Sequence, residues 1–283
     1  MNKNGLTLTI VIDAASANYG EGIGNISSLK KMTRSNGKVY TYISRQALRY
    51  NIVEQMGIAN TPVDNSQKVV QFDPKAEISE YPEIDLFGYM KTSKTEQSMR
   101  SAVVRLSNAI SLEPYASDMD FLTNMGLAKR KGYDNAIAQS EIHKSLYSYT
   151  ITIDLDKIGV DKDKEIASDE KKKRLINLID TIQFLYRDIK GRRENLNPMF
   201  VVGGLYQRKN PYFEDRIKVC DNNIDVAVLK DIINSSDDTK ANTYVGTLSG
   251  YFSNDEIIHD ELNALKVSEV FDKIKEEINK LYD

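Results

Sequence analysis

The 283-residue chain has very little cysteine or histidine, the two residue types that most often hold metals or perform nucleophilic chemistry. Cys220 is the single cysteine, so no intrachain disulfide and no multi-cysteine zinc site can form, which suits a reducing cytoplasm. His143 and His259 are the only histidines, and they have no metal-ligand spacing to each other or to Cys220. We therefore predict a cytoplasmic protein without a metal site.

Long hydrophobic runs are also absent, which excludes a membrane-spanning helix. The apolar run within MNKNGLTLTIVIDAASAN is short, ends at Asp13 and alternates like a strand, so a signal peptide is the weaker interpretation. With 41% hydrophobic and 28% charged residues, the composition is typical of a soluble globular protein. The net charge of −3 argues against a general nucleic-acid binder, so any nucleic-acid site must be local.

The sequence lacks the motifs that bind nucleotide cofactors. Gly20, Gly22 and Gly24 follow a predicted strand, but their spacing differs from the dinucleotide fingerprint and no helix opens directly after them. Lys38 follows a glycine, yet no Ser or Thr comes after it as in a phosphate-binding loop. We therefore predict no cofactor.

Carboxylate pairs offer only weak signs of acid–base or metal chemistry. Asp118 and Asp120, like Asp154 and Asp156, have the i, i+2 spacing that places two carboxylates on one strand face. We interpret both pairs as solvated residues of a loop and a strand end. Asp13, which ends the first predicted strand beside a basic loop, is the one carboxylate placed to act on a bound phosphodiester. Capping of the strand end is the simpler role for it.

The first part of the chain predicts two strands and a capped helix. Residues 6–14 alternate and are rich in β-branched side chains, which indicates a core strand. Residues 15–37 contain four glycines and are predicted to form a loop. A second strand is expected at residues 38–43, and Ser44 is a typical N-cap for a helix that begins at Arg45. Such a helix start attracts phosphate, because unpaired N–H groups point outward there.

The rest of the chain mixes strands and helices. We predict an irregular excursion at residues 57–84 and a projecting insertion at residues 113–144, because neither has a clean period. Ser168 is predicted to cap a strongly amphipathic helix. The other expected elements are strands at residues 86–90, 101–112, 146–158 and 199–206 and helices at residues 224–234 and 268–281. This order describes an α+β sandwich with a split βαβ core, a common RNA platform.

Residues 24–50 are unusually basic for a slightly acidic chain, since no acidic residue lies between Glu21 and Glu54. The cations are spread over a predicted loop, strand and helix start, so they must converge from different elements. The alternative is an ordinary solvated surface without a binding function, but such surfaces mix both signs of charge. The segment therefore predicts a sequence-independent grip on phosphates. Its six cations are Lys30, Lys31, Arg34, Lys38, Arg45 and Arg49.

Several short motifs, taken in their order, resemble a known family. They are YISRQALR (42–49), LFGYMKTS (86–93), AIS (109–111) before SDMDFLT (117–123), and SYTITIDL (148–155). In this combination the chain resembles the RNA-binding backbone subunit of type I CRISPR surveillance complexes (Cascade). The similarity is to the DevR-type autoregulator branch, associated with type I-B systems. It extends to about residue 206, and the C-terminal third adds little.

The resemblance implies a modified RRM/ferredoxin-like fold with finger and thumb insertions. Residues 1–283 would form a single RRM-like palm domain, with residues 57–84 as a finger-like excursion and residues 113–144 as the thumb. Residues 207–283 would be a helical part packing on the palm. Several copies would line up along one CRISPR RNA, in a filament with other Cascade subunits, and target DNA would pair with the guide.

The resemblance also assigns roles to individual residues. In the family the basic junction holds the RNA backbone, and the thumb folds over the RNA toward the next subunit. Leu122 and Thr123 would supply the wedge beneath a kinked nucleotide, although an aromatic wedge would stack better. Met90 would touch a base from the palm side. The RNA-binding residues predicted in this way are Asn25, Lys30, Lys31, Arg34, Lys38, Ser44, Arg45, Gln46, Arg49, Met90, Leu122, Thr123, Lys129, Arg130 and Lys131.

The sequence therefore predicts a non-catalytic RNA-binding and assembly protein that presents guide RNA for pairing with target DNA. An enzymatic alternative stays open, because related backbone subunits of type III complexes cleave target RNA with a loop aspartate and Asp13 is the nearest candidate. A DNA-binding autoregulator is a third possibility, for which the sequence has no helix-turn-helix signature.

Overall fold

The computed structural model describes residues 3–15, 18–66, 69–92 and 97–282. Within these ranges the chain forms 23 β-strands and eight α-helices. The strands are β1 (Gly5–Ala14), β2 (Tyr19–Ile23), β3 (Ile26–Leu29), β4 (Lys31–Thr33), β5 (Val39–Ile43), β6 (Val63–Asp64), β7 (Gln71–Phe72), β8 (Tyr89–Thr92), β9 (Gln97–Arg100), β10 (Val104–Leu106), β11 (Ala109–Ser111), β12 (Asp118–Thr123), β13 (Ile137–Ile142), β14 (Ser145–Asp154), β15 (Val160–Asp161), β16 (Lys164–Glu165), β17 (Tyr186–Ile189), β18 (Arg192–Asn195), β19 (Phe200–Tyr206), β20 (Val219–Cys220), β21 (Asn223–Ile224), β22 (Tyr244–Thr247) and β23 (Leu265–Lys266). The helices are α1 (Arg45–Gln55), α2 (Pro82–Phe87), α3 (Met125–Ala128), α4 (Ser168–Gln183), α5 (Val226–Ile233), α6 (Asp237–Asn242), α7 (Asp255–Leu262) and α8 (Val267–Tyr282).

The central sheet has the strand order of a ferredoxin-like fold. β19, β1, β14 and β11 lie side by side and are all antiparallel, and β10 also pairs with β14. α1 lies between β1 and β10 along the chain, and α4 lies between β14 and β19, so a βαβ unit occurs twice. This arrangement confirms the predicted α+β class with an RRM/ferredoxin-like core.

β1 is buried on both faces, because each face meets a different layer. Leu6 and Ile10 belong to a core that includes residues of α1, α4 and α8. On the opposite face Thr9 shares a 2.8 Å hydrogen bond with Thr150. Val11 belongs to a second core formed with residues of β19, α5 and α7. The sheet is therefore the middle layer of a sandwich.

The longest helices bury one face each and leave the other to solvent. Leu175 and Leu178 of α4 and Phe271 and Ile274 of α8 are buried at helical spacing in the first core. Most of the exposed positions carry charged or polar side chains, as expected of helices that cover a sheet. No helix of the described ranges is both long and apolar enough to cross a membrane.

Three long connections meet at one end of the sheet, where β1 ends and β14 and β19 begin. We call this end of the sheet the insertion edge. The register pairs Asp13 with Leu146, so the end of β1 lies beside the start of β14. Val11 pairs with Phe200 on the other side of β1, which places the start of β19 at the same edge. The connections that meet here are residues 15–38, 112–144 and 184–199.

The insertion, residues 113–144, has more regular structure than its sequence pattern predicts. β12 and β13 form an antiparallel hairpin, and β13 pairs in parallel with β3 through Gln139 and Ile26. β2 in turn pairs with β3, and β4 pairs with β5. The loop predicted for residues 15–37 is therefore wrong. Its short strands pair with neighbours along the chain, and β3 also pairs with the distant β13, although their sequences show no clear alternation.

Three further boundaries differ from the predictions. The strand predicted for residues 86–90 is wrong, since α2 extends into it and β8 begins only after Gly88, which turns the chain with φ of +73°. Residues 101–112 contain two short strands in place of one. Ser168 is the first residue of α4, and Ala167 is the N-cap without a side-chain capping bond.

A buried carboxylate joins the excursion, residues 57–84, to the central layers. Asp85 of α2 is fully buried and accepts hydrogen bonds from Arg100 (2.7 Å) and Arg174 (2.9 Å). It also accepts from the N–H of Gly159 at 3.0 Å. Arg174 donates to the Ile78 carbonyl at 2.8 Å. This network fixes α2, β9 and the segment after β14 to α4.

Candidate nucleic-acid interface

α1 begins where the basic segment meets the central sheet. The Ser44 hydroxyl accepts the N–H three residues along the chain at 3.3 Å, so the predicted N-cap is confirmed. The N–H of Ser44 donates to Asn18 (2.7 Å) and that of Arg45 donates to Asn108 (2.9 Å). Among the described residues, only the Gln46 N–H of this first turn lacks an acceptor. Side chains therefore satisfy most of the donors that the sequence assigned to a phosphate.

Three of the six cations of the basic segment meet acids that distant segments bring to them. The segment is free of acids along the sequence but not in the fold. Each of these pairs lowers the positive potential that a phosphate would experience. The ion pairs are Lys31–Glu141 at 2.7 Å, Arg49–Glu83 at 3.5 Å and Arg34–Asp215 at 3.9 Å.

Lys30, Lys38 and Arg45 have no acidic partner within the described parts of the chain. Lys38 and Arg45 are exposed, and Lys30 is half-buried at the junction of β3 and β4. Gln46 is exposed beside Arg45. These three cations can therefore exchange water for phosphate oxygens without first breaking an ion pair with a carboxylate. They are the strongest candidates for a backbone grip.

Arg45 also lines a groove of about 490 Å³ with Arg105 and Lys209. Asp154 holds Arg105 in place at this groove, because the two carboxylate oxygens of Asp154 accept hydrogen bonds from Arg105 at 3.0 and 3.1 Å. Asp154 is buried, so the solvated strand-end interpretation is wrong for it, whereas Asp156 is exposed and pairs with Lys209. The sequence analysis missed this groove because Arg105 and Lys209 lie far from the basic segment along the chain.

The insertion presents apolar side chains to solvent. Leu122 is 70% exposed and Phe121 is 63% exposed, and Thr123 is exposed next to them on β12. Because strand neighbours point to opposite faces, Phe121 and Leu122 present apolar side chains on the two faces of β12. Asn25 supports this hairpin by donating to the Ile137 carbonyl at 3.1 Å. The exposed cations of the insertion include Lys129, Arg130 and Lys131, and Asp118 and Asp120 are also exposed on it.

Met90 lies in a different region from the insertion. It is 58% exposed and lines a groove of about 890 Å³ with Val63, Val69 and Val70, which are also exposed. The Asp85 network ties this region to the segment that follows β14, at the end of the sheet opposite the insertion edge. The structure therefore does not bring Met90 and the insertion together within one chain.

The insertion edge holds Asp13, the carboxylate considered for catalysis, and His143, one of the two histidines. Asp13 forms an ion pair with Lys144 at 2.5 Å, and burial together with Asp13 raises the pKa of Tyr251. His143 is buried, its Nδ1 lies 2.8 Å from the Thr41 hydroxyl, and burial lowers its pKa. Within the described ranges, no group of three or more His, Cys, Asp and Glu side chains is placed to hold a metal ion.

Comparison with known sequences gives two findings. Residues 6–228 match the family described as "CRISPR-associated negative auto-regulator DevR/Csa2". The chain is also 30% identical over 164 residues to "CRISPR-associated protein Cas7/Cst2/DevR" from Myxococcus xanthus (strain DK1622), a match covering 50% of this chain. The match spans about half the length of that relative, 54%.

Solved structures share the fold along nearly the whole chain. A chain of a "CRISPR RNA-guided surveillance complex, pre-nicking" aligns with a TM-score of 0.66 and 9% identity, covering 97% of this chain and 100% of that one. A chain of another "CRISPR RNA-guided surveillance complex" aligns with a TM-score of 0.60 and 13% identity, covering 96% and 99% of the two chains.

Proposed function

Because the chain belongs to the DevR/Csa2 family of CRISPR-associated proteins, we propose that it is a backbone subunit that binds CRISPR RNA in a surveillance complex of the type I-B kind. The observation that carries the proposal is the set of uncompensated cations, Lys30, Lys38 and Arg45, beside the start of α1. These cations would bind phosphates, which position a strand without reading its bases. Sequence would then be read by pairing between the guide and target DNA.

Two exposed apolar regions of the chain support the proposal that copies assemble along the guide. The insertion carries Phe121 and Leu122, and the groove around Met90 lies toward the opposite end of the sheet. A contact between different surfaces of two copies does not close on itself and generates an open filament. The insertion would then act as the thumb, with Leu122 and Thr123 beneath a kinked nucleotide and Met90 of the next copy facing the bases.

The remaining segments would support this arrangement. The excursion, residues 57–84, would serve as the finger-like part. Residues 207–283 would pack on the palm, as α8 does against α4 and β19. Other Cascade subunits would join at the ends or sides of the filament. The protein itself would perform no chemistry, because its proposed work is to bind, order and present the guide.

Charge reversal tests the grip. Lys30→Glu with Arg45→Glu should weaken binding of an unstructured polyuridine RNA and of a mixed-sequence RNA by the same factor. The slope of log affinity against log salt should become shallower by about 0.7 for each phosphate that the variant no longer binds. Lys218→Glu with Lys240→Glu makes the same change in net charge at exposed positions of the C-terminal part and serves as the control. Equal effects of the two double variants would contradict the proposal.

Native mass spectrometry tests assembly separately. On RNAs of increasing length, the number of bound copies should rise in regular steps for the parent protein. Replacing residues 117–142 with a short Gly/Ser linker removes β12 and β13 and the pairing of β13 with β3. It should still leave a folded monomer, because neither of the two main cores contains a residue of this segment. The same change should abolish the steps, and Leu122→Ala should weaken them while single-copy binding persists. Unchanged steps after the replacement would show that the insertion is not the thumb.

A further inference from the structure

The β17–β18 hairpin brings a second group of cations to the insertion edge. It is closed by a two-residue turn in which Lys190 and Gly191 have φ of +50° and +76°, the left-handed pair that a type I′ turn requires. Residues 186–195 contain four basic and two acidic side chains, a net charge of +2. The basic residues are Arg187, Lys190, Arg192 and Arg193.

The hairpin is held in a defined position. Gln55 of α1 exchanges two hydrogen bonds with the backbone of Tyr186, at 2.6 and 3.2 Å. The buried carboxylate of Glu194 accepts from the Ala15 N–H (2.8 Å), from Arg187 (2.6 Å) and from Arg192 (2.9 Å). A hairpin fixed at both strands loses little conformational entropy when a ligand binds its side chains.

The tip of the hairpin touches the base of the insertion. The Lys190 ammonium lies 4.4 Å from the centre of the Tyr19 ring on β2. It also donates to the Ser140 hydroxyl on β13 at 3.1 Å. β2 and β13 belong to one small sheet that carries the insertion, so the hairpin and the insertion form a continuous surface.

A cavity of about 320 Å³ lies between the hairpin and the end of β1. Lys144, Arg192 and Arg193 line it together with the amide side chains of Asn195 and Asn197. Guanidinium, ammonium and amide N–H groups are all donors that suit phosphate oxygens. The lining therefore matches the chemistry of an anion, apart from two carboxylates that cations of the site already neutralise. Asp13 pairs with Lys144, and Glu194 pairs with Arg187 and Arg192.

We propose that the hairpin and Lys144 form a second phosphate site for the RNA strand gripped at the start of α1, an inference that rests on the proposed function. Arg193 is its principal ligand. In the free protein Arg193 makes a two-bond contact with Asp188 at 2.9 and 3.1 Å, and both side chains are about two-thirds exposed. Such exposed pairs contribute little stability, so a phosphate can replace the carboxylate at low cost. The planar guanidinium can bind two phosphate oxygens in the same geometry.

Because Asp188 would compete with phosphate for Arg193, variants of these two residues should change RNA affinity in opposite directions. Asp188→Asn should raise affinity for a polyuridine RNA by about two- to fivefold, the size of one exposed ion pair. Arg193→Gln should lower it by a similar factor and make the salt slope shallower by about 0.7. Arg193→Lys keeps the charge and should restore part of the loss. Glu261→Gln removes the acid of the exposed ion pair between Lys230 of α5 and Glu261 of α7, and it should leave RNA affinity unchanged.

The outcomes separate this inference from the proposed function. If Asp188→Asn and Arg193→Gln leave RNA affinity unchanged while the Lys30 and Arg45 charge reversal lowers it, the hairpin is an ordinary solvated turn and the inference is wrong. If Glu261→Gln raises affinity as much as Asp188→Asn, the effect is one of net charge, which also overturns it. If neither the charge reversal nor the hairpin variants alter binding, the proposed function itself falls.

Discussion

Removing the Asp85 carboxylate should destabilise the fold more than any change to an exposed ion pair. Asp85→Ala takes away the counter-charge of Arg100 and Arg174, whose side chains are 7% and 3% exposed. The variant also leaves the Gly159 N–H without its acceptor. The two guanidinium groups cannot move into water without separating α2 from α4.

The size of the destabilisation depends on the hydrogen bonds that Arg100 and Arg174 retain in the variant. Breaking a buried pair by removing one partner costs about 3 to 5 kcal/mol. Here two pairs are broken, but Arg100 still donates to the Lys157 carbonyl and Arg174 still donates to the carbonyl of Ile78 and to Glu170. These remaining bonds offset part of the loss, so we expect a total of about 4 kcal/mol. Asp85→Asn keeps one carbonyl acceptor and should cost about half as much.

Urea unfolding followed by circular dichroism measures this directly, and the chain has no tryptophan whose fluorescence would otherwise report it. The urea concentration at the midpoint of unfolding should fall, while the slope of the unfolding free energy against urea concentration stays the same. Glu261→Gln breaks the exposed Lys230–Glu261 pair and should cost less than about 1 kcal/mol. If Asp85→Ala cost no more than Glu261→Gln, the buried network would not hold the excursion to the central layers, and the reasoning would be refuted.

Three further predictions concern other parts of the molecule. Burial lowers the pKa of His143 below its ordinary 6.5, so the unfolded state binds the proton more readily than the folded state does. The stability that the neutral His143 contributes is complete above pH 6.5 and is lost as the pH falls below that value. His143→Gln should therefore flatten the decrease in melting temperature between about pH 7.5 and 5.5. A Cβ at Gly204 would lie 1.9 Å from the Asn242 carbonyl oxygen, so Gly204→Ala should cost at least about 2 kcal/mol in urea unfolding, while Gly126→Ala, with no atom within 4 Å, should not be destabilising. Asp13 is ion-paired with Lys144, and purified protein should leave single-stranded RNA intact in magnesium or manganese; regularly spaced cuts that Asp13→Asn abolishes would establish the nuclease alternative.

The periodic elements of the core could be predicted from the sequence. β1, β5, β14 and β19 alternate or carry β-branched side chains, and α4 has a long apolar stripe, so their boundaries are confirmed within a few residues. Ser44 also indicated the start of α1, because a hydroxyl before an amphipathic run satisfies the first N–H groups. These signals are local and do not depend on distant partners.

Features that depend on distant partners could not be predicted. Glu141 neutralises Lys31 across 110 positions of sequence, and no residue near the basic segment indicates this pairing. In the sequence Asp85 and Asp154 resemble surface acids, because no neighbouring residue indicates that they are buried beside arginines in the fold. The β17–β18 hairpin was missed for a different reason: both of its faces are polar, and only the Lys190–Gly191 pair could have indicated its turn.

The central position of β1 has a consequence for synthesis of the protein. Both neighbours of β1 lie far along the chain, since Gly5 pairs with Asp154 on one side and Tyr206 on the other. A ribosome that adds about 5 to 20 residues per second needs on the order of 10 to 30 s to produce β14 after β1. During that interval a highly apolar strand has two unpaired edges, the condition that favours association between chains. The yield of usable subunits is therefore expected to depend on translation speed and on chaperones that shield nascent β1, more than on the stability of the finished fold.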